Sequence, residues 1–305
     1  MDIFKHANNC LRNLIGTNNI ERNLYNRIAY ENKRQLLINH ILHDKGCGII
    51  SDNYCEHNVI VSLTTYGKRI NDVAFTIESI MQQSVKANKI ILWIDENFKN
   101  VSLPHALILQ QERGLEIGYC KDIRSYTKLL YSLRKFPDDI IITIDDDLLY
   151  EYDMIEHLIL AYLQKPQYIH ASRVHKILMD KNGELLPYNN WILRSKELGP
   201  NRLNFATGVG GVLYPPNSLD KEVFNEKVFL DICKYADDVW FYAMALKKGT
   251  LINKVYTRDP GGNDYLVNEG VQDLALKRIN TTGDMMNDQQ IKSVFDKYNL
   301  YDSLQ

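Results

Sequence analysis

Apolar residues follow two different spacings between residues 58 and 256. Short runs of consecutive apolar residues, typical of buried strands, alternate with segments in which apolar residues recur every three or four positions, as on one face of a helix. The segments with strand character are 59–63, 89–94, 115–119 and 140–144, and those with helix character are 73–81, 103–113 and 125–136. Repeated strand–helix units predict a doubly wound α/β fold, with a mainly parallel central sheet flanked by helices.

The rest of the chain is expected to continue this pattern with more irregular connections. Helices are predicted at about 151–164, 225–234, 238–248 and 287–299, and strands at 168–172, 208–214 and 251–256. Residues 177–188 are expected to form a hairpin with Asn182-Gly183 as its turn. Residues 187–207 are predicted to be a loop, and residues 257–270, which contain Pro260-Gly261-Gly262-Asn263, a mobile loop.

Residues 1–57 differ from the rest of the chain, because they are rich in Asn, Arg and Leu and have helical spacing. They are predicted to be a helical N-terminal extension that ends near Gly46-Cys47-Gly48. Basic residues outnumber acidic ones there: Lys5, Arg12, Arg22, Arg27, Lys33 and Arg34. Two interpretations stand, a solvated helical face packed on the main domain or contact with an anionic membrane surface or a partner. We favour the packed face.

Composition narrows the class of protein. The 305 residues are 45% apolar, enough for one large domain or two small ones. The net charge is −2, without the basic excess of a general nucleic-acid binder. The five cysteines include no CxxC pair, so neither a disulfide framework nor a zinc site is expected. With no apolar run near the length of a membrane span, a cytoplasmic protein is expected, with peripheral contact at the inner membrane as the open alternative.

Three carboxylates, Asp145-Asp146-Asp147, directly follow the apolar predicted strand 140–144. In open α/β sheets ligands bind beyond the carboxyl ends of the strands, and crowded carboxylates repel one another unless a cation neutralises them. Mg²⁺ or Mn²⁺ suits such oxygen ligands and commonly bridges them to substrate phosphates. In an extended segment Asp145 and Asp147 lie on one side and Asp146 points away. The alternative is a solvated acidic turn.

A second carboxylate pair, Asp237-Asp238, opens a predicted helix. Carboxylates at this end of a helix suit the helix dipole and can cap free N–H groups, which is the structural interpretation. The functional interpretation is a general base, since transfer of a sugar to a hydroxyl requires one near the acceptor. We favour Asp238 as the base, with Asp237 second.

Three further segments carry candidate binding residues. The segment Thr64–Arg69 follows the first strand, and its hydroxyls and cations can meet a nucleotide. Lys128 opens a helix, where a lysine and helix N–H groups can bind a diphosphate, although surface solvation explains it equally well. Glycines in the segment Gly208–Gly211 allow close approach to a ligand, or else form a bulged strand.

The order of these motifs resembles bacterial GT-A-fold glycosyltransferases of the family-2-like kind that build capsule or lipopolysaccharide glycans. The resemblance covers roughly residues 58–256, and its specific parts are IDDD and ADDVW in this order, with TTYGKR, SYTKLL and GVGG around them. It implies a GT-A fold, a nucleotide-sugar donor, usually a UDP-sugar, bound with Mn²⁺ or Mg²⁺, and a glycan or lipid-linked acceptor. We expect one domain, 58–305, with donor binding in its first half, 58–175, and acceptor binding and catalysis in its second, 176–305.

The resemblance also implies roles for single residues. Asp147 ligates the metal, Asp145 or Asp146 meets the ribose or the metal, and Asp238 is the base of an inverting enzyme. Of the two, we expect Asp145 to be the second metal ligand and Asp146 to serve the ribose or the structure. Thr64, Tyr66, Arg69 and Asp95 lie by the base and ribose of the donor. Independently of the resemblance, Lys128, Gly210 and Gly211 are expected to contact the donor as well. The chain departs from the pattern in having Asp237 where Glu is usual. It also has no histidine after His175, so a third metal ligand must be an oxygen of Asp259, Asn263 or Asp264.

Two other functions stay open. A sugar-1-phosphate nucleotidyltransferase shares the α/β layout and the metal carboxylates, but it normally carries a Gly-rich basic signature near the first strand, and TTYGKR has one glycine. An inactive GT-A scaffold of a polysaccharide assembly complex would use residues 1–57 as its interaction element. The presence of both carboxylate clusters argues against the scaffold.

Overall fold

The computed structural model describes residues 24–270 and 286–304. Within these ranges lie eight α-helices: α1 (24–43), α2 (Val73–Met81), α3 (His105–Gln111), α4 (Thr127–Lys135), α5 (Met154–Gln164), α6 (Glu226–Ile232), α7 (Asp237–Lys248) and α8 (Met286–Tyr298). The strands in the same ranges are β1 (Val59–Thr64), β2 (Lys89–Asp95), β3 (Leu115–Cys120), β4 (Ile140–Thr143), β5 (Leu148–Tyr150), β6 (Ile169–Ala171), β7 (Val174–Lys176), β8 (Gly199–Asn201), β9 (Asn204–Ala206), β10 (Val212–Tyr214), β11 (Ile252–Lys254) and β12 (Tyr265–Val267).

The central sheet has eight strands in the order β3-β2-β1-β4-β10-β6-β11-β8. The pairs β3–β2, β2–β1, β1–β4 and β6–β11 are parallel, whereas β10 and β8 run antiparallel to their neighbours. Two small sheets accompany it, β12–β5 and β7–β9. The prediction of a mainly parallel α/β sheet flanked by helices is confirmed. The four predicted strands 59–63, 89–94, 115–119 and 140–144 match β1–β4 to within one residue at each end.

Both faces of the central sheet are covered, which explains the unbroken apolar runs in its inner strands. On β1, Ile60 faces one apolar core while Val59 and Val61 face the other. On β4, Ile141 faces the first core and Ile142 the second. Each such side chain is fully buried and contributes roughly 1.5–3 kcal/mol through removal from water. This burial fixes the strand register and therefore the position of the polar residues that follow each strand.

Helix α1 packs on the α/β domain. Tyr30 and Leu37 form a small apolar cluster with Leu149, and Lys33 Nζ donates to the Tyr150 carbonyl at 2.8 Å. The same ammonium lies 3.1 Å from a carboxylate oxygen of Glu151. The predicted helical character is therefore confirmed for 24–43, and this helix packs on the domain through Tyr30, Leu37 and Lys33, while contact with a membrane or a partner stays a prediction. The predicted helical positions and basic residues before residue 24 lie outside the described residues.

Two predicted loops contain strands instead. In 187–207 the structure has β8, which pairs with β11, and β9, which pairs with β7. In 257–270 it has β12, which pairs with β5, and the Arg258 guanidinium lies 2.6 Å from Asp153 Oδ2. The prediction that 257–270 is a loop throughout is wrong, because β12 forms there and an ion pair joins the segment to the start of α5, while its mobility stays a prediction. The expected hairpin at 177–188 is reduced to one bridge, Met179 with Leu185.

None of the described helices is both long and apolar enough to cross a membrane.

Candidate functional site

The candidate residues converge at the carboxyl edge of the central sheet. Thr65 follows β1, Asp145 lies just beyond β4, and Arg173 lies just beyond β6. Gly208 shortly precedes β10, and because β10 is antiparallel to β4, its beginning lies at this same edge. The topology thus brings together residues that are far apart in the sequence, such as Thr65 and Gly208.

Asp146 of the triplet points into the protein. It is 7% exposed, and its two carboxylate oxygens accept from Thr65 Oγ1 at 2.6 Å and from an Arg69 guanidinium nitrogen at 2.6 Å. Burial raises the pKa of Asp146 above its ordinary value, against the lowering effect of Arg69. Asp146 therefore anchors the strand end, as the D-x-D alternation predicts, and its predicted contact with the ribose stays a prediction.

Asp145 and Asp147 keep part of their side chains exposed, 24% and 14% respectively. Asp145 accepts from Lys128 Nζ at 2.8 Å, and Asp147 Oδ2 lies 3.3 Å from an Arg69 nitrogen. The cations of the chain itself thus balance the triplet in part. The alternative interpretation of Lys128 as a solvated surface residue is wrong, since the residue is only 6% exposed.

Lys128 also joins the triplet to the second carboxylate pair. Its ammonium lies 3.4 Å from Asp237 Oδ2 and 2.8 Å from Asp145 Oδ1. Burial alone would lower the pKa of Lys128, but Asp145, Asp237 and Asp238 together raise it well above its ordinary value. The lysine is therefore a fixed positive charge between two acidic groups.

Asp237 and Asp238 occupy the first turn of α7, and no side chain caps that helix at Ala236. The Asp238 carboxylate instead accepts from the backbone N–H of Gly208 at 3.0 Å. Burial raises the pKa of Asp238, and the neighbouring Asp237 raises it further. Capping therefore does not explain Asp238, and its carboxyl is biased towards the protonated form.

Gly208 lies at the centre of this arrangement. A methyl group at this position would lie 2.8 Å from Lys128 Nζ, 3.3 Å from Asp238 Oδ1 and 3.6 Å from Asp145 Oδ1. The two carboxylate clusters predicted from separate motifs therefore meet around one glycine. The glycine stretch predicts close approach to a ligand, whereas the backbone at Gly208 closely approaches the charged side chains themselves.

Gly210 and Gly211 have structural reasons to be glycine. Both have left-handed backbone conformations, with φ of 96° and 98°. A methyl group at Gly210 would lie 3.3 Å from the Gly262 carbonyl oxygen, and one at Gly211 would lie 2.9 Å from the sulfur of Met154. The tight-backbone interpretation thus explains both, and their contact with a donor stays a prediction.

The segment from Thr64, the last residue of β1, to Arg69 divides into residues that point inward and residues that point outward. Thr64 Oγ1 donates to the Trp93 carbonyl at 3.0 Å, which ties β1 to β2. Tyr66 is 47% exposed, and the Arg69 guanidinium lies 5.5 Å from its ring centre. Tyr66 is thus the member of this segment that presents an aromatic face at the edge where ligands bind in such sheets.

Asp95 ends β2, next to β1 in the sheet. Its side chain accepts from the backbone N–H of Asn97 at 2.8 Å and so opens a short 3₁₀ turn. The predicted position at the carboxyl edge is found, while the predicted contact of Asp95 with a base or ribose stays a prediction.

The residues expected to supply a third metal ligand are folded on one another. Asp259 accepts from the Asn263 backbone N–H and side-chain amide, and Asp264 accepts from the backbone N–H groups of Arg258 and Asp259. Within 24–270 and 286–304, no three His, Cys, Asp or Glu side chains form a group that could hold a metal ion. Asp145 and Asp147 fit the mode in which one or two carboxylates hold Mg²⁺ or Mn²⁺ and substrate phosphates complete its shell.

Arg173 and Tyr265 lie at the site without having been predicted. Arg173 donates to the Tyr265 hydroxyl at 3.3 Å, and the charge of Asp145 helps to raise the pKa of Tyr265, after the larger effect of burial. A charged residue immediately after a strand such as β6 is a signal that could have identified Arg173. Tyr265 has no such signal, because its strand forms only through pairing with β5.

Comparisons by sequence identify no relative, since no known family matches the chain and no curated protein matches it. One solved structure that it resembles is a CMP:2-keto-3-deoxy-manno-octonic acid synthetase complexed with CTP, with a TM-score of 0.38 and 12% identity over 65% of this chain and 88% of that chain. Another is the glucosyl-3-phosphoglycerate synthase of Mycobacterium tuberculosis with Mn²⁺, uridine diphosphate and phosphoglyceric acid, with a TM-score of 0.29 and 16% identity. That match covers 38% of this chain and 43% of the synthase. Both scores are below 0.5, so neither likeness carries an argument about function.

Proposed function

We propose that the protein is a metal-dependent glycosyltransferase that moves a sugar from a nucleotide-sugar donor, with UDP-sugars as the expected class, to a hydroxyl of a glycan or lipid-linked acceptor. The observation that carries the proposal is the meeting of Asp145, Lys128 and Asp238 around Gly208. In such a reaction, the groups that hold the leaving diphosphate must lie next to the group that removes the proton. Here Asp145 of the first acidic cluster and Asp238 of the second both lie beside Gly208.

Asp145 and Asp147 would hold Mn²⁺ or Mg²⁺, which when bound neutralises charge on the donor diphosphate and on the departing nucleotide. Asp146, with its two protein donors Thr65 and Arg69, holds the triplet in place. The exposed ring of Tyr66 offers a stacking surface for the base of the donor.

Asp238 is the proposed general base. It takes the proton of the acceptor hydroxyl while that oxygen attacks the anomeric carbon, and the bond from that carbon to the nucleotide breaks on the opposite side, so the configuration inverts. A general base works best when its pKa lies near the working pH, and the raised pKa of Asp238 suits this role. Asp237 is the weaker candidate, because one of its oxygens faces Lys128 at 3.4 Å.

The nucleotidyltransferase alternative requires free cations near the first strand to receive a triphosphate. Of the two cations after β1, Arg69 is buried against Asp146 and Asp147, and Lys68 alone is exposed. The arrangement after β1 therefore favours transfer from a nucleotide sugar over synthesis of one.

The test is a panel of nucleotide sugars incubated with the protein and Mn²⁺, followed by detection of released nucleotide with and without acceptor sugars. Metal-dependent release, lost in EDTA, is the expected result. A parallel incubation with nucleoside triphosphates and sugar 1-phosphates is followed by pyrophosphate detection. Pyrophosphate without release from any nucleotide sugar would replace the proposal with a nucleotidyltransferase, and an inactive scaffold would show neither reaction.

A further inference from the structure

Two arginines beside the site have no carboxylate partner in the part of the chain that the structure describes. Arg173 donates only to the neutral Tyr265 hydroxyl, at 3.3 Å, and its Nε is buried without a hydrogen-bond partner among these residues. The Arg194 side chain is exposed, and no ion pair involves it within the same residues. By contrast, Arg69 and Arg113 each contact a buried carboxylate within 3 Å. Buried N–H groups of a cation without partners are costly, so an anionic ligand is the expected partner.

The backbone fixes Arg173 next to the central glycine. The Arg173 carbonyl accepts from the backbone N–H of Thr207 at 3.2 Å, and Thr207 immediately precedes Gly208. A methyl group at Gly262 would lie 2.9 Å from the Arg173 Cα, so the backbone at Gly262 packs closely against the backbone of Arg173 as well. Arg173 is thus held at the edge of the proposed reaction site by packing on two sides.

The pKa values of two tyrosines indicate which charged groups lie near the Arg173 guanidinium. The charge of Asp238 raises the pKa of Tyr188 while that of Arg173 lowers it, both after the larger effect of burial. The charges of Arg173 and Arg194 both lower the pKa of Tyr265, which burial raises. Arg173 and Asp238 therefore both lie close enough to Tyr188 to change its pKa, and Arg173 and Arg194 both lie close enough to Tyr265 to change its pKa.

Arg194 is held in an uncommon conformation on the same side. Its φ is 55°, in the left-handed region that non-glycine residues rarely adopt, and its backbone N–H donates to His175 Nδ1 at 3.0 Å. Burial lowers the pKa of His175 to about 4, helped by both arginines, so at neutral pH the ring is an uncharged acceptor. The carboxylate in electrostatic reach of Arg194, Asp259, is hydrogen-bonded to Gly261 and Asn263. Backbone strain of this kind collects at ligand-binding positions.

We propose that Arg173 and Arg194 form an anion-binding subsite that takes a phosphate or carboxylate group of the acceptor sugar, a proposal that rests on the proposed function. Arg173 is bonded to Thr207 and Asp238 to the adjacent Gly208, so an acceptor whose hydroxyl meets Asp238 would lie beside Arg173. The aspartates around Gly208 would repel a negatively charged acceptor, and the two arginines offset that repulsion. Donor phosphates have their own partner in the metal held by Asp145 and Asp147.

The test measures binding with the donor site filled, so that it does not depend on turnover. The full-length protein is saturated with UDP and Mg²⁺ and titrated with matched sugars on glucose, galactose and mannose frameworks: the neutral hexose, its uronic acid and its 6-phosphate. At least one anionic sugar is expected to bind about tenfold or more tighter than its neutral counterpart. The phosphate and uronate arms distinguish the two anion types.

Arg173→Gln and Arg194→Gln are each expected to remove this preference, and Arg173→Lys to restore part of it. The residue Arg134, which lies over the Phe224 ring, supplies the control Arg134→Gln, which removes the same charge and should leave the preference intact. Because Arg194 is exposed, its variant keeps the test valid if Arg173→Gln fails to fold.

A wild-type protein without anion preference would overturn the proposal, and so would loss of UDP binding in the arginine variants, which would assign them to the donor. Absence of UDP binding in the wild type would instead count against the proposed function, and the anion preference would then be measured without UDP.

Discussion

The Lys128 ammonium lies 2.8 Å from Asp145 Oδ1 in a position where the lysine is 6% exposed. This contact connects the helix after β3 to the acidic triplet after β4. Removing one partner of a buried ion pair leaves the other charge without compensation in a poorly solvated place. The contact therefore predicts a large effect on stability as well as on the site.

Lys128→Met keeps the length of the side chain but removes its charge. We expect the free energy of unfolding, measured by urea denaturation, to fall by about 3 kcal/mol, because Asp145 and Asp237 lose their shared cation. Lys135→Met on the same helix removes an exposed ammonium and should change stability by roughly 0.5 kcal/mol or less. Adding Asp145→Asn to Lys128→Met should recover part of the loss. Equal effects of the two lysine variants would show that the Lys128 contacts do not stabilise the fold.

Gly208→Ala places a methyl group 2.8 Å from Lys128 Nζ and 3.3 Å from Asp238 Oδ1. The backbone tolerates alanine there, since φ lies outside the left-handed region, so the effect arises from displaced charged groups. We expect a stability loss of about 1–3 kcal/mol and a fall in turnover of about tenfold or more. Gly46→Ala is the matched control, because a methyl group there meets nothing within 4 Å. Normal turnover of Gly208→Ala would contradict the central position given to this glycine.

Much of this arrangement can be predicted from the sequence, because it depends on the pattern of neighbouring residues within single strands. Strands β1 and β4 are apolar almost throughout because both faces are covered, so their runs mark both the strands and the edge where Asp145 lies. The period of two along an extended chain likewise predicts that Asp146 points away from its neighbours. The bonds of Asp146 to Thr65 and Arg69 agree with that orientation.

Other features depend on contacts between distant segments. Strands β5, β8, β9 and β12 lie in segments without a run of apolar residues long enough to stand out from the predicted helix and loops, and they form through pairing with distant partners. The roles of Lys128 and Arg69 as counter-cations depend on which charges meet across the sheet edge, which spacing along the chain does not encode. Arg173 belongs to no motif and is positioned by Thr207 and the chain at Gly262.

Asp238→Asn keeps the acceptor oxygen for the Gly208 N–H but cannot take a proton. We expect transfer to fall by about 100- to 10,000-fold, the usual contribution of general-base catalysis, while UDP binding stays within about twofold. Asp231→Asn, at an exposed position on α6, is the control for loss of one negative charge. The measurement is single-turnover transfer alongside UDP titration. Near-normal transfer by Asp238→Asn would exclude Asp238 as the base and direct attention to Asp237.

The pKa of Asp238, raised to about 8 by burial and by Asp237, also predicts a pH dependence of stability. Between its ordinary value near 3.8 and about 8, the native state binds a proton at Asp238 that the unfolded chain has released. The free energy of unfolding therefore contains a contribution that falls as pH rises through this window, by up to about 1.4 kcal/mol per pH unit. Urea denaturation at several pH values in EDTA measures it. Asp238→Asn should flatten the decline, and parallel curves for the two proteins would contradict the raised pKa.

The proposed function depends most on Asp147, which together with Asp145 would hold the metal that binds the donor diphosphate. The most direct test is calorimetric titration of UDP into the wild-type protein and the Asp147→Ala variant, each with Mn²⁺ and with EDTA, after both are shown to be folded. We predict Mn²⁺-dependent binding by the wild type and none by Asp147→Ala. Equal UDP affinity of the two proteins in Mn²⁺ would contradict the metal-binding role of Asp147.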